Sequence, residues 1–272
     1  MQSRPRLEEA MANQRTSEVV EALTGAIRGV IKDKGVDYDE FHAAVSYLQR
    51  LADSGEIPLL LAVLFEATVD EVTHANSVGS TTTIEGPFYV AGAPVLDQPY
   101  KLPRRPDEPG DVLVVSGTVR ATDGQPVSAA ELDMWQATGE LPGKYSNVHP
   151  GIPDWNLRGR FHADDQGRFK VETVLPAPYE IRKGGPTEEL LTLVGRHTWR
   201  PSHLHFKVRH PGYRTLTTQL FFSGGAYLDS DAGNAVKPDL IIPLTKLDES
   251  SGPDEERLGF TADYHFVLEP QP

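Results

Sequence analysis

Near residue 80 the hydrophobic period of this chain changes, so its two parts cannot share one architecture. Before that point apolar residues recur at helical spacing. Val19, Val20, Leu23, Ile27, Val30 and Ile31 fall on one stripe, and Gly35 stands where a left-handed C-terminal cap is expected. Asp37 precedes Glu40 by three residues, a reciprocal capping pair that opens a second helix to about Leu51. Ser54-Gly55 breaks the chain. Pro58 suits the first turn of a third helix through Leu59–Val72, and NSVGSTTT at 76–83 reads as loop.

From about residue 111 the period falls to two and turn residues punctuate short runs. Val112–Thr122 and Val127–Ala137 flank Asp123-Gly124, a hairpin signal. Arg160–Ala163 and Arg168–Val174 flank Asp164-Asp165-Gln166-Gly167. Further strands are expected at His203–Arg209, Thr215–Phe222 and Asp263–Leu268. The pattern predicts a mainly β fold with added α: an antiparallel β-sandwich over 81–272, preceded by a helical segment over 1–80. Three helices bury little by themselves. Their apolar faces must pack on the sandwich, on a second subunit, or on both. Two long connections, 138–158 and 176–202, interrupt the strands, and connections of that length in a compact domain usually serve function.

Composition narrows the chemistry. At 272 residues, 39% hydrophobic and 24% charged, the chain can bury a sizeable core and is not of the disordered class. It has no cysteine, which excludes disulfides, zinc fingers and iron–sulfur clusters. A metal would have to be held by His, Tyr, Asp, Glu or backbone oxygen. A formal net charge of −13 repels phosphate backbones, so no nucleic-acid partner is expected. The opening MQSRPRLEEAM lacks the apolar region of a secretory signal, and the most apolar stretch, Ile57 to Phe65, is too short to span a bilayer. A soluble, cytoplasmic protein without a membrane span is expected, and absence of cysteine fits a reducing cytosol.

The sharpest local feature is Arg200-Pro201-Ser202-His203-Leu204-His205-Phe206. Residues two apart on a strand share a face, so His203 and His205 point one way while Leu204, Phe206 and Val208 point into the core. Two imidazoles on one face can share a metal. An isolated His-x-His can equally be a pair of hydrogen-bonded histidines on a half-exposed strand. With no cysteine, the remaining ligands are oxygen donors. Carboxylates would complete the two-His-one-carboxylate pattern of Fe(II) oxygenases. Tyr145 and Tyr179 are the other candidates, each in one of the long connections. A bound cation can hold a phenol as phenolate, and a pair of hard anionic oxygens suits Fe(III). Taken singly, either tyrosine can also be an amphipathic packing residue.

Several stretches together resemble the catechol 1,2-dioxygenases of the intradiol ring-cleaving family, closest to the actinobacterial type. They are Thr83-Ile84-Glu85-Gly86-Pro87-Phe88-Tyr89, Gly143-Lys144-Tyr145-Ser146, Asn156-Leu157-Arg158-Gly159-Arg160, Pro176-Ala177-Pro178-Tyr179 and Gly195 through His205. Thr217-Thr218-Gln219-Leu220 and Tyr227-Leu228-Asp229-Ser230-Asp231 continue the match, which covers most of 83–243. The resemblance implies one non-haem Fe(III) per subunit, held by Tyr145, Tyr179, His203 and His205. Tyr179 and His203 match the axial positions, Tyr145 and His205 the equatorial ones. Arg200 matches an arginine beside the reacting ring carbons and Gln219 a glutamine behind it. Ile84, Pro87 and Phe88 match one wall of the substrate pocket, Ala232 and Gly233 another. The N-terminal helices match a segment that forms a homodimer, often with a phospholipid between the subunits.

The activity so implied is intradiol cleavage of catechol by O2 to cis,cis-muconate, within the β-ketoadipate route of aromatic degradation. Tyr179 would take a catechol proton on leaving the metal, and Arg200 would stabilise charge on the ring. The match around 195–205 favours plain catechol, with hydroxyquinol and chlorocatechols as alternatives. Protocatechuate enzymes fit less well, since they generally lack the helical segment and combine two different chains. Outside the family stand an Fe(II) His/carboxylate oxygenase and a non-enzymatic sandwich carrier.

Overall fold

The computed structural model describes residues 14–247 and 259–271; the opening MQSRPRLEEAM lies outside them. The chain divides into two compact units, Met1–Asp53 and Ser54–Pro272. The first carries helices α1 (Gln14–Lys34) and α2 (Tyr38–Asp53). Both termini expected at their junction are present. Gly35 takes φ +66°, and Val36 N–H reaches back to Ile31 O at 3.0 Å, a Schellman closure. Asp37 Oδ1 accepts from Glu40 N–H at 2.9 Å while Glu40 Oε2 accepts from Asp37 N–H at 3.1 Å, the reciprocal box. No residue of α1 is buried, so its apolar stripe faces outward along its length.

The second unit opens with the third helical stretch: α3 (Ile57–Leu61), a π-helical turn (Ala62–Glu66) and α4 (Ala67–Thr73). Two five-stranded sheets follow. One has the order β1 (Tyr100–Lys101), β5 (Arg168–Val174), β2 (Val112–Ala121), β12 (Gly259–Leu268), β11 (Thr245–Lys246). The other has β10 (Ile241–Ile242), β9 (Leu216–Phe222), β8 (His203–Arg209), β3 (Glu131–Gln136), β4 (Arg158–His162). Among the described residues no helix is long and apolar enough to cross a membrane.

The expected mainly β sandwich with added helices is present, but its sheets are not purely antiparallel. β12 runs parallel to β2 over ten residue pairs, from Gly259–Val112 to Leu268–Ala121. β1 with β5 and β10 with β9 are also parallel. Such partners lie far apart in sequence, where turn signals say nothing about them. The Asp123-Gly124 hairpin is a second difference. The turn forms, with Gly124 at φ +84° and Val127 N–H on Val119 O at 3.0 Å. The chain then crosses to the other sheet, so β2 and β3 are not ladder partners. The reason is burial: Leu113, Val115 and Val119 of β2 must face Leu132 and Met134 of β3 across the core, not lie beside them. Each such buried side chain stabilises by about 1.5–3 kcal/mol.

Candidate metal centre

β8 alternates as its sequence requires. Leu204, Phe206 and Val208 enter the inter-sheet core. His203 and His205 project from the other face, yet are 2% and 1% exposed, because a second apolar cluster covers that face. Register places Trp135 of β3, His205 of β8 and Gln219 of β9 side by side across three strands. Trp135 stacks on His205 with ring centroids 4.5 Å apart and planes 10° from parallel. Gly86, at φ +73°, carries its backbone over the imidazole; a Cβ there would lie 3.7 Å from His205 Cε1.

The two long connections bring in the tyrosines. Gly143 N–H donates to Pro178 O at 2.9 Å and Ala177 N–H to Thr138 O at 3.0 Å, so the loops are laced together. A Cβ at Gly143 would meet Ala177 O at 3.0 Å, which keeps that approach open only to glycine. Connection 176–202 is more ordered than a loop. It holds β6 (Tyr179–Glu180), α5 (Pro186–Leu193) and β7 (Trp199–Arg200), and the β6–β7 ladder sets Tyr179 directly opposite Arg200. Tyr145 and Tyr179 meet edge to face at 5.1 Å, and Phe88 lies 4.8 Å from the Tyr145 ring.

Four donor atoms therefore converge. His203 Nε2 lies 3.0 Å from His205 Nε2 and 3.5 Å from Tyr145 Oη. Arg200 Nη1 donates to Tyr179 Oη at 3.2 Å and lies 3.5 Å from His203 Nε2. Pro201 O accepts from His203 Nδ1 at 2.7 Å, which puts the proton on Nδ1 and leaves the Nε2 lone pair facing the cluster. Burial, and then the Arg200 charge, lowers the His203 pKa to about 3. Burial likewise holds His205 well below its usual value, with His203, Arg200 and Arg158 adding to the effect. Both imidazoles are thus neutral, the form a metal needs. Burial raises both phenols, Tyr145 further through its neighbour Tyr179, while Arg200 opposes the rise at Tyr179. Two neutral nitrogens and two phenol oxygens, packed together away from water, fit a multivalent cation that would hold the phenols ionised.

Arg200 is itself held on two sides. Asp231 accepts from Nε at 2.9 Å and from Nη2 at 3.1 Å; Gln219 Oε1 accepts from Nη2 at 2.9 Å, and Gln219 Nε2 donates to Ile84 O at 2.7 Å. Burial would raise the Asp231 carboxyl, but Arg200 and the amides of Gly233 and Ala235 overcome that and hold it below the usual carboxylate range. Gly233 closes on the guanidinium: a Cβ there would lie 2.9 Å from Arg200 Nε. Ala232 sits alongside, its N–H on Trp199 O at 3.0 Å. Of the expected pocket wall, Phe88 lies against both tyrosines. Ile84 turns its side chain into the inter-sheet core and contributes only its carbonyl, and Pro87 is exposed.

No sequence pattern marks Asp231, Arg158 or Trp135 for a role. A buried arginine is usually paired with a carboxylate, but nothing local selects Asp231 from many acids as the partner of Arg200. Trp135 follows only from strand register. The Fe(II) alternative needs a carboxylate beside the histidines. Among the described residues no group of three or more His, Cys, Asp or Glu is placed to hold a metal.

A family model described as Dioxygenase matches residues 84–270, and one described as Catechol dioxygenase N terminus matches residues 13–81. Chlorocatechol 1,2-dioxygenase of Rhodococcus opacus is 41% identical over 241 residues, 88% of this chain and 93% of that protein. Catechol 1,2-dioxygenase 2 of Acinetobacter lwoffii is 38% identical over 236 residues, covering 84% and 85%. The crystal structure of 3-chlorocatechol 1,2-dioxygenase from Rhodococcus opacus matches with TM-score 0.88 at 41% identity, over 94% of this chain and 99% of that one. Hydroxyquinol 1,2-dioxygenase from Pseudomonas putida matches with TM-score 0.86 at 33% identity, over 96% and 93%.

Proposed function

The chain belongs to the intradiol ring-cleaving catechol dioxygenase family, and from that premise we propose that it opens catechol rings with O2 at a ferric ion held by Tyr145, Tyr179, His203 and His205. The observation that carries this reading is the convergence of two histidine nitrogens and two tyrosine oxygens in one buried cluster. Non-haem Fe(III), the metal general to this family, would be held by these four side chains and would supply orientation of the substrate and withdrawal of electron density from its ring.

The protein's own groups do the rest. Catechol must shed both hydroxyl protons to bind as a dianion; the Tyr179 phenolate would take one, and a hydroxide that the substrate displaces would take the other. Arg200 stays beside that oxygen at 3.2 Å, where a fixed cation stabilises charge developing on the ring. Gln219 and Asp231 keep the guanidinium aimed. Phe88 closes the apolar side and, with the buried tyrosines, keeps bulk water out.

Catechol and chlorinated catechols are the proposed substrates. The residues around 195–205 support catechol. The 41% identity to a chlorocatechol enzyme, against 38% to a catechol enzyme, supports the chlorinated ring. Segment 1–80 is proposed as the homodimerisation segment. Val20, Leu23 and Val30 of α1 are 55%, 61% and 59% exposed, a stripe that a second copy would cover, with a phospholipid tail as a further occupant. A cytosolic location goes with the same reading.

The test is a side-by-side assay of iron-loaded protein on catechol, 4-chlorocatechol and hydroxyquinol, reading O2 uptake and muconate-type product. Ring opening of the first two ahead of hydroxyquinol is expected. Preference for hydroxyquinol would move the substrate assignment, and no ring opening of any of them would overturn the activity.

A further inference from the structure

Arg158 of β4 is 1% exposed, and among the described residues no carboxylate pairs with it. Its Nε donates to Ser146 Oγ and its Nη2 to Ser146 O, both at 2.9 Å, while Nη1 has no hydrogen-bond partner. The guanidinium lies over the Tyr145 ring, with Cζ 5.8 Å from the centroid. Asp133 is the carboxylate whose charge reaches it, but Asp133 is already engaged by Arg209 at 3.2 Å and Tyr89 at 2.9 Å. A buried arginine without a counter-ion costs several kcal/mol. A chain would shed that cost with an apolar residue unless some state of the protein supplies the missing negative charge.

The phenolate of Tyr145 would be that charge. Its negative charge spreads into the ring, so a cation over the ring face meets it directly. We propose that Arg158 is the counter-cation of the Tyr145 phenolate, a positioning residue that fixes Tyr145 as the permanently anionic ligand of the metal. This rests on the proposed ferric site. It goes beyond that site by giving the buried, carboxylate-free Arg158 a part in it: Arg158 lies over the Tyr145 ring, whereas the arginine over the Tyr179 ring is paired with Asp231.

The experiment compares ferric-loaded wild type, Arg158→Gln, Arg158→Lys, Tyr145→Phe and Arg158→Gln/Tyr145→Phe. It reads the phenolate-to-iron absorption band and iron retention against a competing chelator, with circular dichroism to confirm folding. Removing the cation raises the energy of the phenolate electrons, so Arg158→Gln should move the band to longer wavelength and lose iron at least tenfold more readily. Arg158→Lys should restore much of both. On the iron that Tyr145→Phe retains, the residual band, normalised to iron, should no longer respond to residue 158. A folded Arg158→Gln with unmoved band and unchanged iron retention overturns the proposal, as does a folded Arg158→Lys as defective as Arg158→Gln. Wild type with no such band at all would instead remove the ferric site on which the proposal stands.

Discussion

Tyr145 and Tyr179 make the instructive comparison. Both are buried, at 0% and 1% exposure, and each has an arginine over its ring, with Cζ 5.8 and 5.9 Å from the centroid. What differs is what stands behind the arginine. Arg200 is tied through two nitrogens to Asp231, so its side of the site carries an ion pair of no net charge. Arg158 is tied to Ser146, a neutral residue, and keeps its full charge. Proximity of an arginine is thus a poor guide to electrostatics; the net charge of the whole cluster decides. One side suits a fixed anionic ligand. The other would suit the oxygen proposed to take a proton from the substrate.

The largest test of that asymmetry is removal of each phenol in turn. Tyr145→Phe should lose most bound iron, measured as metal per folded chain. Tyr179→Phe should retain some iron and lose most turnover. Equal iron loss in both, or normal turnover in Tyr179→Phe, would erase the distinction.

Arg200→Ala comes next. Loss of a preorganised charge of this type costs about 10²–10³ in rate. The rate should fall much further than the iron content; parallel losses would assign Arg200 to metal retention instead.

Asp231→Asn tests the ion pair behind Arg200. Breaking a buried pair costs roughly 3–5 kcal/mol, read as a lower denaturation midpoint. The pH dependence has a definite sign. A carboxyl held below its unfolded value contributes stability that is present above the unfolded pKa and lost as pH falls through the folded one. Wild type should therefore lose stability on acidification below about pH 4, the unfolded carboxylate range, and Asp231→Asn should flatten that limb of the curve.

Much of this was legible in the sequence, and the rest was hidden for physical reasons. Strand periodicity alone placed His203 and His205 on one face and Leu204, Phe206 and Val208 in the core. The capping pair Asp37 and Glu40 and the Gly35 closure were likewise local, and formed as read. Sheet membership was not local. The Asp123-Gly124 turn announced a hairpin, but the chain used it to change sheets. Connection 176–202 read as loop because two-residue strands such as β6 and β7 leave no periodicity. The roles of Asp231 and Arg158 could not be read, since a side chain's counter-ion, or lack of one, exists only in three dimensions.

The smallest effect sharpens the Tyr145 side. Ser146→Ala removes one of the two contacts that hold Arg158, for a loss of about 1 kcal/mol. Iron content should stay near wild type, because the cation remains.

The central claim, a ferric ion on two tyrosinates, is tested most directly by the visible spectrum of the purified chain with iron measured at one per subunit. Phenolate-to-iron charge transfer should colour the protein wine-red, and Tyr145→Phe should remove much of the band. A colourless protein carrying a full complement of ferric iron would contradict the account.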